Sequence, residues 1–153
     1  MKLTSVAGFL LLAASGPVLA GEHRKAQPLD PRYVEECGSC HVAFPPRGLA
    51  AASWTAVFAD LSTHFGVDAS LDPAAAQPLL DYVRAHARRK DTPGDDGKPA
   101  LRMTKARWFV REHDEVAAAT WQRPAIETPS NCAACHPAAE QGSFAEHDIR
   151  IPR

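Results

Sequence analysis

Two short strings constrain this chain more than anything else in it: Cys37-Gly38-Ser39-Cys40-His41 and Cys132-Ala133-Ala134-Cys135-His136. Together they use all four cysteines. C-x-x-C-H is the attachment pattern for c-type haem, with two thiols to form thioethers and an imidazole to reach the iron. On a helix, positions i, i+3 and i+4 share one face. The spacing therefore predicts that each motif offers its three groups to one side of a flat macrocycle. Cys37, Cys40, Cys132 and Cys135 are the expected tethers of two haems, and His41 and His136 the expected proximal ligands.

Two other uses of four cysteines compete with this reading. An even cysteine count in an exported chain invites disulfides, but a disulfide framework has no reason to place a His directly after each pair. Two C-x-x-C pairs can also build a four-thiolate zinc site. Here more than ninety residues separate the pairs, far from zinc-ribbon spacing, and both histidines would be surplus.

Export is read from the N-terminus. Lys2 supplies a positive start, Val6 to Ala14 a short apolar run, and Val18-Leu19-Ala20 a small-residue cleavage site before Gly21. The run is too short to span a bilayer; an uncleaved anchor is the competing reading. Residues 1–20 are expected to be a cleaved signal peptide, and residues 21–153 one exported dihaem domain. Cleavage leaves 133 residues with 16 Lys and Arg against 18 Asp and Glu. That balance lacks the basic stripe of a nucleic-acid binder. No later segment is apolar enough to span a membrane. With 13 Pro and 9 Gly, the expected fold is all-α: short irregular helices wrapped around two haems, with little or no strand.

Glu22 to Asp30 reads as a loose arm. Pro31 suits the first turn of a helix that covers Arg32 to His41 and carries the first motif at its end. Pro45-Pro46-Arg47-Gly48 then breaks the chain. Ser53 is the expected N-cap of the next helix. On it, Trp54, Val57, Phe58, Leu61, His64 and Phe65 share an apolar face before a stop at Gly66. Asp72-Pro73 opens a third helix to about Arg89. Residues 91–99 form the clearest loop and divide the chain into halves with one motif each. Thr104 should cap a helix to about Trp121, with Phe109, His113, Val116 and Ala117 on one face. Ser130 or Asn131 should cap a short helix carrying the second motif.

The sixth iron ligand decides the chemistry. An imidazole on an apolar stripe needs a partner, which can be iron or a backbone carbonyl. His64 and His113 are the expected distal ligands. His86, among Arg84, Arg88 and Arg89, reads as a complement to a helix dipole, and His147, between Glu146 and Asp148, as solvated. Met103 is the only methionine of the mature chain and lies in neither stripe, so at most one haem could be His/Met. Trp108 and Trp121 add flat apolar bulk suited to porphyrin edges, but large aromatics are more often plain core and no specific role follows for them. Bis-His ligation of both haems is the economical outcome. Saturated iron has no place for a substrate, which favours electron transfer over enzymatic activity.

These features resemble the small dihaem cytochrome c family of bacterial periplasms over nearly the whole mature sequence. The likeness rests on Cys37 to His41 followed by Phe44-Pro45, then Trp54 and His64-Phe65-Gly66. It continues in Trp108-Phe109, Glu112-His113, Asn131 to His136 and Ile149-Arg150-Ile151-Pro152. The resemblance implies two bis-His low-spin haems with His64 and His113 as distal ligands. It also implies redox partners, namely a monohaem oxygen-binding cytochrome c and a membrane cytochrome b, and the protein itself is expected to be a monomer. The alternative is a small haem enzyme or gas sensor with one open coordination position, for which no acid–base group can be placed.

Overall fold

The computed structural model describes residues 28–94 and 96–153. The expected signal peptide and most of the Glu22 to Asp30 arm lie outside them. Aspartate followed by proline sets two of the helix starts. In α1 (Pro31–Cys37) the Asp30 carboxylate accepts from the Arg32 N–H at 2.9 Å. In α3 (Pro73–Ala85) Asp72 accepts from the Ala74 N–H at 2.7 Å. Both satisfy donors that a helix start otherwise leaves open. Between them lies α2 (Ala51–Phe58), and α4 (Arg107–Glu112) and α5 (Ala118–Trp121) follow. Short 3₁₀ turns supply most of the joints, and among the described residues the only β-type pairings are isolated bridges. The all-α expectation holds.

Several boundaries differ from the expected ones. α1 stops at Cys37, where Gly38 closes it with an N–H bond to Val34; Cys40 and His41 lie in the bend beyond. The second motif occupies a 3₁₀ turn, Cys132–Ala134, closed by the His136 N–H on the Cys132 carbonyl at 2.8 Å. Neither motif therefore rides on a regular helix. Ser53 is not a cap but a buried residue of α2. α2 itself ends at Phe58, and His64 closes a separate 3₁₀ turn, Leu61–Thr63. The expected Thr104–Trp121 helix is two pieces, because the His113 ring takes the Phe109 carbonyl at 2.9 Å. That is the carbonyl its own backbone N–H would use in a continuing helix; the N–H turns to Val110 instead.

The main core is built by the first half and the central segment. Tyr33, Leu49, Trp54, Leu79, Val83 and Met103 form one buried cluster, in which α2 packs on α3. Two indoles hold the Pro46–Gly48 turn: Trp54 donates to Pro46 O at 2.7 Å and Trp108 to Gly48 O at 2.8 Å. Met103 lies against Gly48 so closely that a Cβ there would overlap its thioether. The Tyr33 hydroxyl donates to Phe44 O at 2.8 Å and ties α1 to the chain just after the first motif. Beyond His113 only Thr120, Ile126, Ala139 and Gly142 are buried. Among the described residues no helix is long and apolar enough to cross a membrane.

Candidate haem-binding site

Each half brings one motif histidine up to one other histidine. The His41 and His64 ring centres are 6.4 Å apart, with planes 24° from parallel. The His113 and His136 centres are 6.2 Å apart, with planes at 76°. Two metal–nitrogen bonds of about 2 Å, plus about 1 Å from each nitrogen to its ring centre, span roughly 6 Å. Both gaps therefore have the width of a single axially ligated metal ion. The sequence left the pairing open; in the structure each pair stays within its own half.

The ring environments select the ligating nitrogen. His41 Nδ1 is 2.8 Å from the Val42 carbonyl and His113 Nδ1 is 2.9 Å from that of Phe109. A carbonyl only accepts, so both Nδ1 atoms carry the proton and both Nε2 atoms keep a lone pair. Phe44 stacks on His41 at 4.5 Å and Phe109 on His113 at 4.0 Å, which fixes the ring planes. Burial, then the neighbouring His41, then Arg102 hold His64 below the usual imidazole range. Burial and His113 do the same to His136. Both are thus kept in the neutral form that binds metals. His136 Nδ1 is buried with no hydrogen-bond partner among the described residues, a cost a packing histidine has no reason to carry.

Cys37, Cys132 and Cys135 are partly buried, and Cys40 is exposed. Burial pushes Cys37 and Cys132 up to about 11 and raises Cys135 as well. No two of the four cysteines are joined by a disulfide. A cavity of about 800 Å³ separates the motifs: Cys40 and His41 are on one wall, Cys132 and Asn131 on the other, with Glu127 and Glu140 at its edge. The volume lies within the roughly 300–1,000 Å³ of small-molecule sites. Among the described residues no three His, Cys, Asp or Glu side chains converge on one metal position. A pair of facing imidazoles would need further donors from the cofactor itself, so the donor set fits a porphyrin and not a bare ion.

The other candidates lie elsewhere. His86 caps α3, with Nδ1 2.9 Å from the Tyr82 carbonyl, and His147 pairs with Asp148 at 3.4 Å on the surface. The Met103 thioether is committed to the core. Sequence reasoning missed the part of Arg102, whose guanidinium lies 4.0 Å from the centre of the Phe65 ring; no local pattern signals a contact made across the fold. It also missed two residues with left-handed backbone, Phe65 (φ 52°) beside His64 and Glu127 (φ 63°) on the cavity wall.

A helical chain with two C-x-x-C-H motifs on one cavity, each with a facing histidine, defines a candidate c-type haem protein. The comparisons name the kind: residues 33–144 match the family model for dihaem cytochrome c. A crystal structure of DHC purified from Rhodobacter sphaeroides is similar at 44% identity and a TM-score of 0.65, covering 75% of this chain and 96% of that one. The experimental structure of a diheme cytochrome type c from Shewanella baltica is similar at 36% identity and a TM-score of 0.69, covering 80% and 92%. No curated protein matches. The chain belongs to the dihaem cytochrome c family. Its cofactors are accordingly two c-type haems with iron, and membership implies haem-based electron transfer.

Proposed function

We propose that the protein is an exported, periplasmic electron carrier in which each haem is ligated by one of the two histidine pairs. The observation that carries this reading is the spacing of the pairs, 6.4 and 6.2 Å between ring centres. Cys37 and Cys40 tether one haem and Cys132 and Cys135 the other. His41 with His64, and His136 with His113, close both faces of each iron. When bound, each haem supplies a one-electron iron couple. The side chains do the rest: the imidazole pairs hold the coordination unchanged on electron gain and loss, and one cysteine of each motif, Cys40 and Cys132, lines the same cavity. No sixth position is left for a substrate, so the protein acts as a carrier and not as an enzyme. Residues 1–20 direct export and are removed. The redox partners are other proteins; the family resemblance suggests an oxygen-binding monohaem cytochrome c and a membrane cytochrome b.

Electron paramagnetic resonance of the oxidised holoprotein tests the ligation. Only low-spin iron is expected. His64→Ala and His113→Ala should each convert one haem to high spin and let its reduced form bind carbon monoxide. A substantial high-spin signal in the unaltered protein would favour the gas-sensor or enzyme alternative for that haem.

A further inference from the structure

The first attachment motif outruns the helix that begins it. Cys40 and His41 lie in the bend beyond Gly38, and among the described residues no backbone N–H of residues 39–44 bonds a main-chain carbonyl. A helix ladder therefore cannot aim the His41 ring, so side chains must. They take two carbonyls of this loop: His41 Nδ1 is 2.8 Å from Val42 O, and the Tyr33 hydroxyl donates to Phe44 O at 2.8 Å. The Phe44 ring in turn stacks on His41 at 4.5 Å, with planes 17° apart. Tyr33 and Phe44 stand eleven positions apart, and their bond closes a loop that contains the whole motif. Tyr33 is 2% exposed, and its ring lies 5.4 Å from that of Tyr82 on α3, whose hydroxyl accepts from the Asp30 N–H at 3.1 Å. α1 is thus pinned to α3 on one side and holds the ligand loop on the other. His41, Val42 and Ala43 line the cavity, whereas Tyr33 and Phe44 do not, so this bond is made by the protein alone. Among the described residues the second motif lacks such an anchor, since His136 Nδ1 is buried without a partner.

We propose that Tyr33 is the positioning residue of the first iron ligand: through Phe44 it holds the plane of the His41 ring and the Nδ1 hydrogen bond to Val42. This rests on the ligation reading above. An Nδ1–H that donates to a carbonyl makes the opposite nitrogen a stronger donor, and a stronger donor favours ferric over ferrous iron. Freeing the Phe44 carbonyl loosens the loop, lets the ring turn and weakens that donation. The reduction potential of the His41/His64 haem then rises, while that of the other haem stays where it is. Tyr33 touches neither haem's tether chemistry nor the iron; it acts only through the ring it aims.

Tyr33→Phe holoprotein tests this, because it removes the hydroxyl and keeps the ring. A redox titration followed by paramagnetic resonance should show a positive potential shift and an altered maximum g for one haem, the one that His64→Ala turns high spin. Cyanide should displace a ligand from that haem with roughly tenfold higher affinity than in the unaltered protein. Leu79→Ala, which empties part of the same core without removing these hydrogen bonds, should lower stability and leave both signals in place. Phe44→Leu should move the same signal as Tyr33→Phe, and the double variant should shift it by less than the sum of the two. An unmoved signal in Tyr33→Phe, or equal shifts of both haems, overturns the positioning role. So does a matching shift in Leu79→Ala, since general loosening would then explain it, or simple additivity of Tyr33→Phe and Phe44→Leu. The unaltered protein keeps the two readings apart: high-spin iron there defeats the ligation, whereas low-spin iron that Tyr33→Phe leaves untouched defeats only the role of Tyr33.

Discussion

At the scale of single residues, the two histidine pairs share a spacing but not an orientation. Under the proposed ligation, near-parallel imidazole planes, as at His41 and His64 (24°), would both donate into the same iron π orbital and leave its partner apart in energy. Near-perpendicular planes, as at His113 and His136 (76°), would donate one into each and bring the two together. Smaller splitting means larger magnetic anisotropy. Oxidised protein should therefore give two distinct low-spin signals, one ordinary and rhombic and one with a markedly larger maximum g. His64→Ala should remove the first and His113→Ala the second. A single signal accounting for both haems would contradict the orientation difference. The stacked rings of Phe44 and Phe109 and the carbonyls of Val42 and Phe109 hold one plane of each pair, those of His41 and His113.

At the scale of elements, what was legible in the sequence was what is decided locally. Pro31 after Asp30 and Pro73 after Asp72 start helices where expected, because cap and ring act within a turn. The Asp72 cap is a direct test: Asp72→Ala should cost about 1 kcal/mol of holoprotein stability in denaturant unfolding, with the resonance spectrum unchanged. The breaks after Phe58 and Glu112 were not legible, because tertiary demands end those helices. Apolar spacing singled out His64 and His113, the residues that face the motif histidines, yet neither lies on a helix face. His64 closes a 3₁₀ turn and His113 caps the end of α4, where the backbone is free to aim a ring away from its own helix. The motifs themselves behave likewise: Cys40 and His41 follow α1 instead of extending it, and Gly38 permits the bend because a Cβ there would strike the Val34 carbonyl.

At the scale of the molecule, the apolar interior is unevenly shared. Tyr33, Leu49, Trp54, Leu79, Val83 and Met103 give the first half and the central segment a protein core of their own. Past His113, Ile126 is the one buried side chain of any size among the described residues. Phe144 instead faces His136 at 5.3 Å and Trp121 faces His113 at 5.8 Å, so this half gathers its aromatic rings around the His113/His136 pair. Ordering a backbone costs about 1–2 kcal/mol per residue, and residues 114–153 bury too little of themselves to offset that. Their order should depend on the cofactor, much as small metal domains fold only when loaded. The chain without haem is expected to lose most of its helical circular dichroism. Amide exchange should be fast throughout residues 114–153, with slower exchange persisting near Tyr33, Trp54 and Val83. A haem-free chain with a native-like spectrum, or with equal protection in both halves, would show that the polypeptide carries its own fold and that the haems are only guests in it.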